Sequence, residues 1–276
     1  MGFSLRMGKN KSRRALLTPK EKRDRRMTYV YTIISFVIAM LVWLYISEPG
    51  TKSGKVFATP LKVFRAFMER YDSGSLWKHT AASLSRVLSG FGLAFLAAVP
   101  IAFLMGWYKP FREIVQPWLR FVRCIPPLAF IPLVIVGAGV GESAKIIVIF
   151  IAAFLVMVIS IYGGVVNVDN TLIKAARVLG ASEWTIFLKV VVPASMPFII
   201  VAARLGLSAS LTTLIAAELT GAQVGLGQMI QEASNYFKMD VVLMGIIIIG
   251  VVGLVFETII GILERILTSW QEKREI

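Results

Sequence analysis

The sequence predicts an all-α protein that crosses a lipid bilayer several times, and three observations carry that expectation. Of 276 residues, 57% are hydrophobic and only 17% charged, with mean hydropathy +0.74, more apolar than an ordinary soluble domain. No charge falls between Arg86 and Lys109, between Arg123 and Glu142, or between Lys145 and Asp169, and about 20 apolar residues suffice to cross the hydrocarbon layer. Between these runs lie short polar stretches with turn and cap residues, the punctuation of a helical membrane chain.

Six spans are expected, at about 29–47, 84–106, 121–141, 143–167, 194–221 and 239–266. The first follows a basic tail, residues 1–28, that holds ten of the Lys and Arg. No small-residue cleavage pattern follows "IISFVIAMLVWLYISEPG", so the first span reads as an uncleaved anchor. Basic residues favour the cytoplasmic side. That places the tail, Tyr108–Arg120, Asn167–Pro193 and the C-terminal end in the cytoplasm, with both termini inside. The six Lys and Arg of Glu48–Ala81 oppose this, and the tail outweighs them. Net charge +14 is then accounted for by topology and anionic lipid, without nucleic acid. Cys124 is the single cysteine, which excludes an intrachain disulfide; beside Pro126 it reads as a small buried hydrophobe.

On the outer side, "ATPLKVFRAFMERY" predicts a helix capped by Thr59 with Pro60 in its first turn. Leu61, Phe64, Met68 and Tyr71 share one face, suited equally to the membrane surface or to packing on the bundle. "GAQVGLGQMIQEASNYFKMD" predicts a glycine turn and a short helix between the last two spans.

Small and hydroxyl residues mark the second span (Ser85, Ser89, Gly92, with Pro100 as a kink) and the fifth (Gly206, Ser208, Ser210, Thr212, Thr213). Such residues serve close packing or a wet cavity rather than lipid, so these two helices are expected inside. The first and last spans read as outer, lipid-facing material. Placing a charge at mid-bilayer costs about 2.5–3.5 kcal/mol, so Arg86, Arg204 and Glu218 need partners or a function. An Arg86–Glu218 pair is one expectation, and attraction of an anionic substrate by Arg86 or Arg204 is another. The candidate pathway set is Ser89, Arg86, Arg204, Ser208, Thr212 and Glu218. Glu257, Glu264 and Arg265 are expected at the inner membrane boundary, and no acidic pair at helical spacing is expected inside the spans.

Chemistry of other kinds lacks its residues. His79 is the only histidine, no Cys/His cluster exists, and no G-x-x-x-x-G-K-[ST] loop appears. An intramembrane enzyme or an ion-driven carrier has no sequence basis here, so no cofactor and no energy source are expected on this chain.

The stretch "NTLIKAARVLGASEWTIFLKVVVP", Asn170–Pro193, breaks the apolar pattern. Asp169 or Asn170 can cap a helix over about 171–179, Gly180 can end it in the left-handed conformation, and Ser182 can cap a second helix that stops at Pro193. Leu172, Ala175, Ala176 and Leu179 would form one face. A helix this short is marginal alone, so it must be held by packing, and its small-residue face suits a partner's groove.

Lys174-Ala175-Ala176, then Gly180, then Val190-Val191-Val192-Pro193 resembles the signature loop of bacterial ABC-type importer permeases. The spacing matches, and lysine replaces the usual glutamate at 174. "ATPLKVFRAF", "SLSRVLSGFGLA", "FVRCIPPLAFIPLVIVGAGVGESAKI" and "LIAAELTGAQVGLGQMI" are similar to the nitrate/sulfonate/taurine-type subfamily, over about residues 57–268. The resemblance implies a MetI-like permease fold within 29–276 (core about 80–267, coupling loop about 168–193) in the bacterial cytoplasmic membrane. It further implies a homodimer enclosing the pathway, two cytoplasmic ABC ATPase subunits that hold ATP and Mg, and an extracytoplasmic binding protein. Lys174, Ala175, Ala176, Arg177, Gly180, Ala181 and Pro193 are the ATPase-coupling residues it implies. The cargo is expected to be a small anion such as a sulfonate, taurine, nitrate or bicarbonate. A vitamin or pyrimidine precursor is the alternative cargo, and a membrane scaffold without transport is the alternative class.

Overall fold

A computed structural model describes residues 19–48 and 57–268. The first 18 residues of the basic tail therefore lie outside the described residues. The chain divides into two compact units, Met1–Val63 and Phe64–Ile276.

Helix α1, Pro19–Ile46, supplies the first apolar span, Met27–Ile46, and none of that window is buried. Trp43 Nε1 donates to the Ala58 carbonyl at 3.1 Å. Helix α2, Pro60–Asp72, takes the predicted place. Val63 and Ala66 are its buried positions, whereas Leu61, Phe64, Met68 and Tyr71 are all exposed, an apolar stripe left free as a surface-lying helix requires.

The second unit is a helical bundle built on α3, Ser75–Trp107, and α6, Glu142–Val166, together with α9, Val192–Leu219. Helix α6 is the centre of the bundle, packed against both α3 and α9. The sequence marks α3 and α9 by their hydroxyls, but α6 earns its place through bulk: Ile149, Met157, Val158 and Ile161 are fully buried. Those large side chains need small ones opposite. Ala94, Ala98 and Ala102 of α3 are all 0% exposed, and with Gly90 they form a stripe repeating every fourth residue. A Cβ at Gly90 would lie 2.6 Å from Ile149 Cγ2, and one at Gly206 of α9 would lie 2.5 Å from Met157 Cγ. The expected stripe Ser85, Ser89, Gly92 is about a third of a turn away, because successive residues step 100° round a helix. Ser85 is exposed, and a Cβ at Gly92 would meet nothing within 4 Å.

Two expected boundaries are corrected. The third span is no straight helix over 121–141. Helix α4, Lys109–Arg123, is followed by a 3₁₀ turn, Pro127–Phe130, and by α5, Ile131–Ala138, with a bend of 93° between the two arms. Pro126 and Pro127 cause it. Neither has an N–H to give, and each disfavours the helical conformation of the residue before it. The stretch Tyr108–Arg120, expected between the second and third spans, is thus mostly helix α4. Nor does the chain stop at Pro193. Helix α7, Asn170–Val178, and α8, Glu183–Ile186, lead through a π-helical turn, Phe187–Val191, straight into α9. Pro193 sits in the first turn of α9, directly after the π-helical turn, and the helix runs on through it.

Helix α10, Leu226–Asn235, follows two left-handed glycines, Gly221 and Gly225, and α11, Met239–Leu267, closes the fold. Only 6% of α11's apolar window is buried, as expected of an outer helix. Among the described residues five helices are long and apolar enough to span a membrane, and the bent α4–α5 pair raises this to six if counted as one span.

Candidate functional site: the α7–α8 knob and the charged end

At one end of the bundle, α7 and α8 form a compact knob. Thr171 N–H donates to Asp169 Oδ1 at 2.8 Å, closing the first turn and holding that carboxyl below the usual carboxylate range. At the other terminus, Gly180 N–H donates to Arg177 O at 3.0 Å and Ala181 N–H to Ala176 O at 3.1 Å, the paired bonds of a Schellman ending. This ending needs a left-handed residue, and Gly180 has φ +78°. Ser182 Oγ then accepts from Thr185 N–H at 3.3 Å to start α8. Arg177 reaches across with both arms of its guanidinium, Nε to Glu183 Oε1 at 3.0 Å and Nη2 to Oε2 at 3.2 Å.

Ile173, Ala176 and Ala181 pack onto the bundle core, and Ile186 below them is 0% exposed. Phe187 stands edge-on to Trp107, Phe103 and Trp184, at ring distances of 5.2, 5.7 and 6.0 Å. The knob is therefore anchored by one face. Its other face is apolar and bare: Val178 is 88% exposed and Leu179 86%, with Leu172, Lys174 and Ala175 beside them. The expected face of Leu172, Ala175, Ala176 and Leu179 needs one correction. Ala176 turns inward, and Val178 takes its place outside.

The opposite end is polar and closed. Arg86 donates through Nε to Glu142 Oε2 at 2.5 Å, through Nη2 to Glu142 Oε1 at 2.8 Å, and through Nη1 to Glu218 Oε1 at 2.6 Å and the Val224 carbonyl at 2.7 Å. Glu218 is 0% exposed. It also accepts from Ser83 Oγ at 2.6 Å and Gly227 N–H at 2.7 Å. Lys145 Nζ reaches Glu142 Oε1 at 3.0 Å, so two cations face two anions. Leu226 N–H donates to Ser83 Oγ at 2.8 Å, and Gly225 N–H to His79 Nδ1 at 3.1 Å. This cluster ties α3, α6, α9 and the loop before α10 together.

The remaining sequence-marked residues are scattered. Arg204 Nη2 donates to Glu264 Oε2 at 2.9 Å. Its Nε lies 3.1 Å from Glu257 Oε1 without an aligned N–H, a charge contact rather than a hydrogen bond. Glu257 and Glu264 are seven residues apart and share a face of α11, so an acidic pair at helical spacing exists after all. Ser208 and Thr212 lie exposed on one face of α9, with Thr212 Oγ1 donating to Ser208 O at 3.0 Å. Ser89 is half-buried. Cys124 is exposed rather than buried, because five residues past the buried Leu119 it falls about 140° round the helix from the packed face. Sequence reasoning also missed His79, Ser83 and Glu142. The first two fall on one helical line with Arg86, spaced four and three residues apart, a signal that was there to be read.

Residues 90–269 match the family described as binding-protein-dependent transport system inner membrane component. The chain belongs to that family. A probable ABC transporter permease protein of Brucella abortus (strain 2308) is 44% identical over 241 residues, 87% of this chain and 95% of the relative. The taurine transport system permease protein of Escherichia coli (strain K12) is 33% identical over 244 residues, 87% and 89% of the two chains. The bicarbonate transport system permease protein of Synechococcus elongatus is 30% identical over 259 residues, 89% and 91%. Among solved structures, a chain of the MetNI methionine ABC transporter in an inward-facing conformation superposes with TM-score 0.61. It is 20% identical and covers 71% of this permease and 95% of that chain. This is an ABC transporter permease with a MetI-like fold, a multi-pass protein of the inner membrane.

Proposed function

We propose that two copies of this permease enclose the pathway of an ATP-driven importer for a small oxyanion, with the knob seated in a cytoplasmic ABC ATPase. The observation that carries the proposal is the knob itself. Anchored on one face and bare on the other, it continues without a break through the π-helical turn into α9. A push on Val178 and Leu179 therefore moves a membrane-spanning helix rather than a loose loop. ATP and Mg belong to the ATPase subunits, and closure of their dimer would switch the pathway between two rigid-body states. An extracytoplasmic binding protein would deliver cargo at the charged end, which would put the knob inside, the side to which the basic tail assigns both termini. Relatives named for taurine and bicarbonate support a small oxyanion as cargo. Both pathway faces in this proposal are hydroxyl-bearing: Ser208 and Thr212 on α9, Ser89 on α3. Arg86 and Glu218 hold each other, and their part is to fix the outer gate.

The test is capture of the cognate ABC ATPase by the full-length permease, followed by ATP-dependent taurine uptake in proteoliposomes carrying the binding protein. Replacing Val178 and Leu179 together by Asp should abolish ATPase capture while leaving the permease folded. Equal capture by the double variant would refute the docking role, and uptake without ATP hydrolysis would refute the importer.

A further inference from the structure

A cavity on the knob-side half of the bundle has no role in the account above. It measures about 210 Å³ and is lined by Met105 of α3, Ile159 and Tyr162 of α6, and Gln116, Leu119, Arg120 and Arg123 of α4. Met105 and Leu119 are buried and form its floor. At about 30 Å³ per water, the space holds roughly seven waters, enough for a sulfonate, phosphate or carboxylate group.

Its polar lining is one-sided in charge. Arg120 and Arg123 each present five N–H donors and no acceptor, Tyr162 adds an O–H, and Gln116 adds an amide. None of these four side chains makes a hydrogen bond or ion pair among the described residues. Counter-charge is missing from the walls as well. Helix α3 contains no Asp or Glu, α6 contains only Glu142 at its far end, and Glu113 of α4 lies 3.8 Å from Arg112. The last turn of a helix favours cations, which would account for a lone solvated arginine there. It does not account for Gln116, one turn earlier, or for Tyr162 from a different helix, both meeting the arginines at the same cavity.

We infer that this cavity is an oxyanion-binding site, in which Arg120 and Arg123 grip the anionic group and Tyr162 and Gln116 complete its donor shell. Paired guanidiniums suit planar and tetrahedral oxyanions because their forked N–H groups engage two oxygens at once. Two sources share this chemistry: a free anion leaving the pathway, and the phosphate of an anionic lipid in the adjoining leaflet. The free-anion source rests on the importer proposal; the site itself does not.

The experiment uses the full-length permease without ATPase, so failure of the importer proposal leaves it intact. In nonionic detergent, thermal unfolding is followed against ethanesulfonate, with chloride at matched ionic strength as the control. In nanodiscs of phosphatidylcholine doped with phosphatidylglycerol, native mass spectrometry counts retained lipid. Saturable stabilisation by ethanesulfonate identifies a free-anion site, and selective retention of phosphatidylglycerol identifies a lipid site. Either should weaken roughly tenfold or more in the Arg120→Gln/Arg123→Gln variant and persist in Arg112→Gln. Should the double variant not fold, Tyr162→Phe should weaken the same signal severalfold. Binding that is absent from both arms, or indifferent to these residues, overturns the site.

Discussion

At the charged end of this permease, Arg86, Glu142, Lys145 and Glu218 are held by side chains from three helices and by the backbone of the α10 loop. At the knob end, Val178 and Leu179 are almost wholly exposed, and the side-chain bond between α7 and α8 is the exposed Arg177–Glu183 fork. The difference separates two jobs. A region whose buried charges complete one another's bonds stabilises the fold. A region that leaves an apolar face bare contributes little to its own stability and is free to be gripped. Substitutions at the charged end should therefore register as unfolding, and those at the knob as lost coupling.

The largest expected effect is at Glu218. Glu218→Ala leaves Ser83 Oγ and Gly227 N–H without an acceptor and removes the buried anion that faces Arg86, leaving only the exposed Glu142 opposite it. Breaking a buried pair from one side costs about 3–5 kcal/mol. Equilibrium unfolding of the purified permease should show that loss, and an unchanged midpoint would mean that the cluster is not holding the end together.

Next comes Gly164 of α6, where an added Cβ would press on the Phe198 ring of α9. Gly164→Val should cost about 1–3 kcal/mol as overpacking. Gly92→Ala, with nothing within 4 Å of its Cβ, should be near neutral in the same unfolding assay. Comparable losses in both would show that the close approach of α6 and α9 is not specific.

Much of this division was legible in the sequence, and its gaps have physical causes. Asp169, Gly180 and Ser182 announce the knob because capping is local: each acts within four residues of itself, so residue type alone specifies the geometry. The Arg86–Glu218 pair was foreseeable because two charges in apolar runs must find company. Glu142 as its third member was not, since its partnership depends on how α6 passes α3. The same holds for the central position of α6. Its bulky residues carry no mark of the interior until the alanine stripe of α3 is placed opposite them, and that stripe differs from the serine stripe by a single residue of rotation. The α4–α5 bend was not legible either. Hydropathy sees one apolar run where two prolines impose a corner.

A smaller effect is expected at Gly180. Its φ of +78° is costly for a branched residue, yet a Cβ there would meet nothing within 4 Å. Gly180→Val should thus strain only the turn, by about 1–2 kcal/mol, reducing ATPase capture while global unfolding hardly moves. Gly180→Asn should restore capture, because Asn tolerates the left-handed region. Failure of Asn to outperform Val would show that backbone conformation is not what the partner requires.

The smallest change in stability, and the sharpest test of the comparison, is at Lys174. The residue is exposed and has no partner among the described residues, so Lys174→Glu should alter unfolding by no more than about 0.5 kcal/mol. The signature that this loop resembles has glutamate at that position, so the variant brings the knob closer to that signature while reversing its charge. If lysine faces an acidic group on this permease's own ATPase, Lys174→Glu should lower substrate-stimulated ATP hydrolysis, and Lys174→Ala should lower it less. If both variants couple normally, the knob works through shape and the bare apolar face alone. If Lys174→Ala is as damaging as Lys174→Glu, the aliphatic stem rather than the charge makes the contact, since repulsion can distinguish the two variants only where a charge lies opposite.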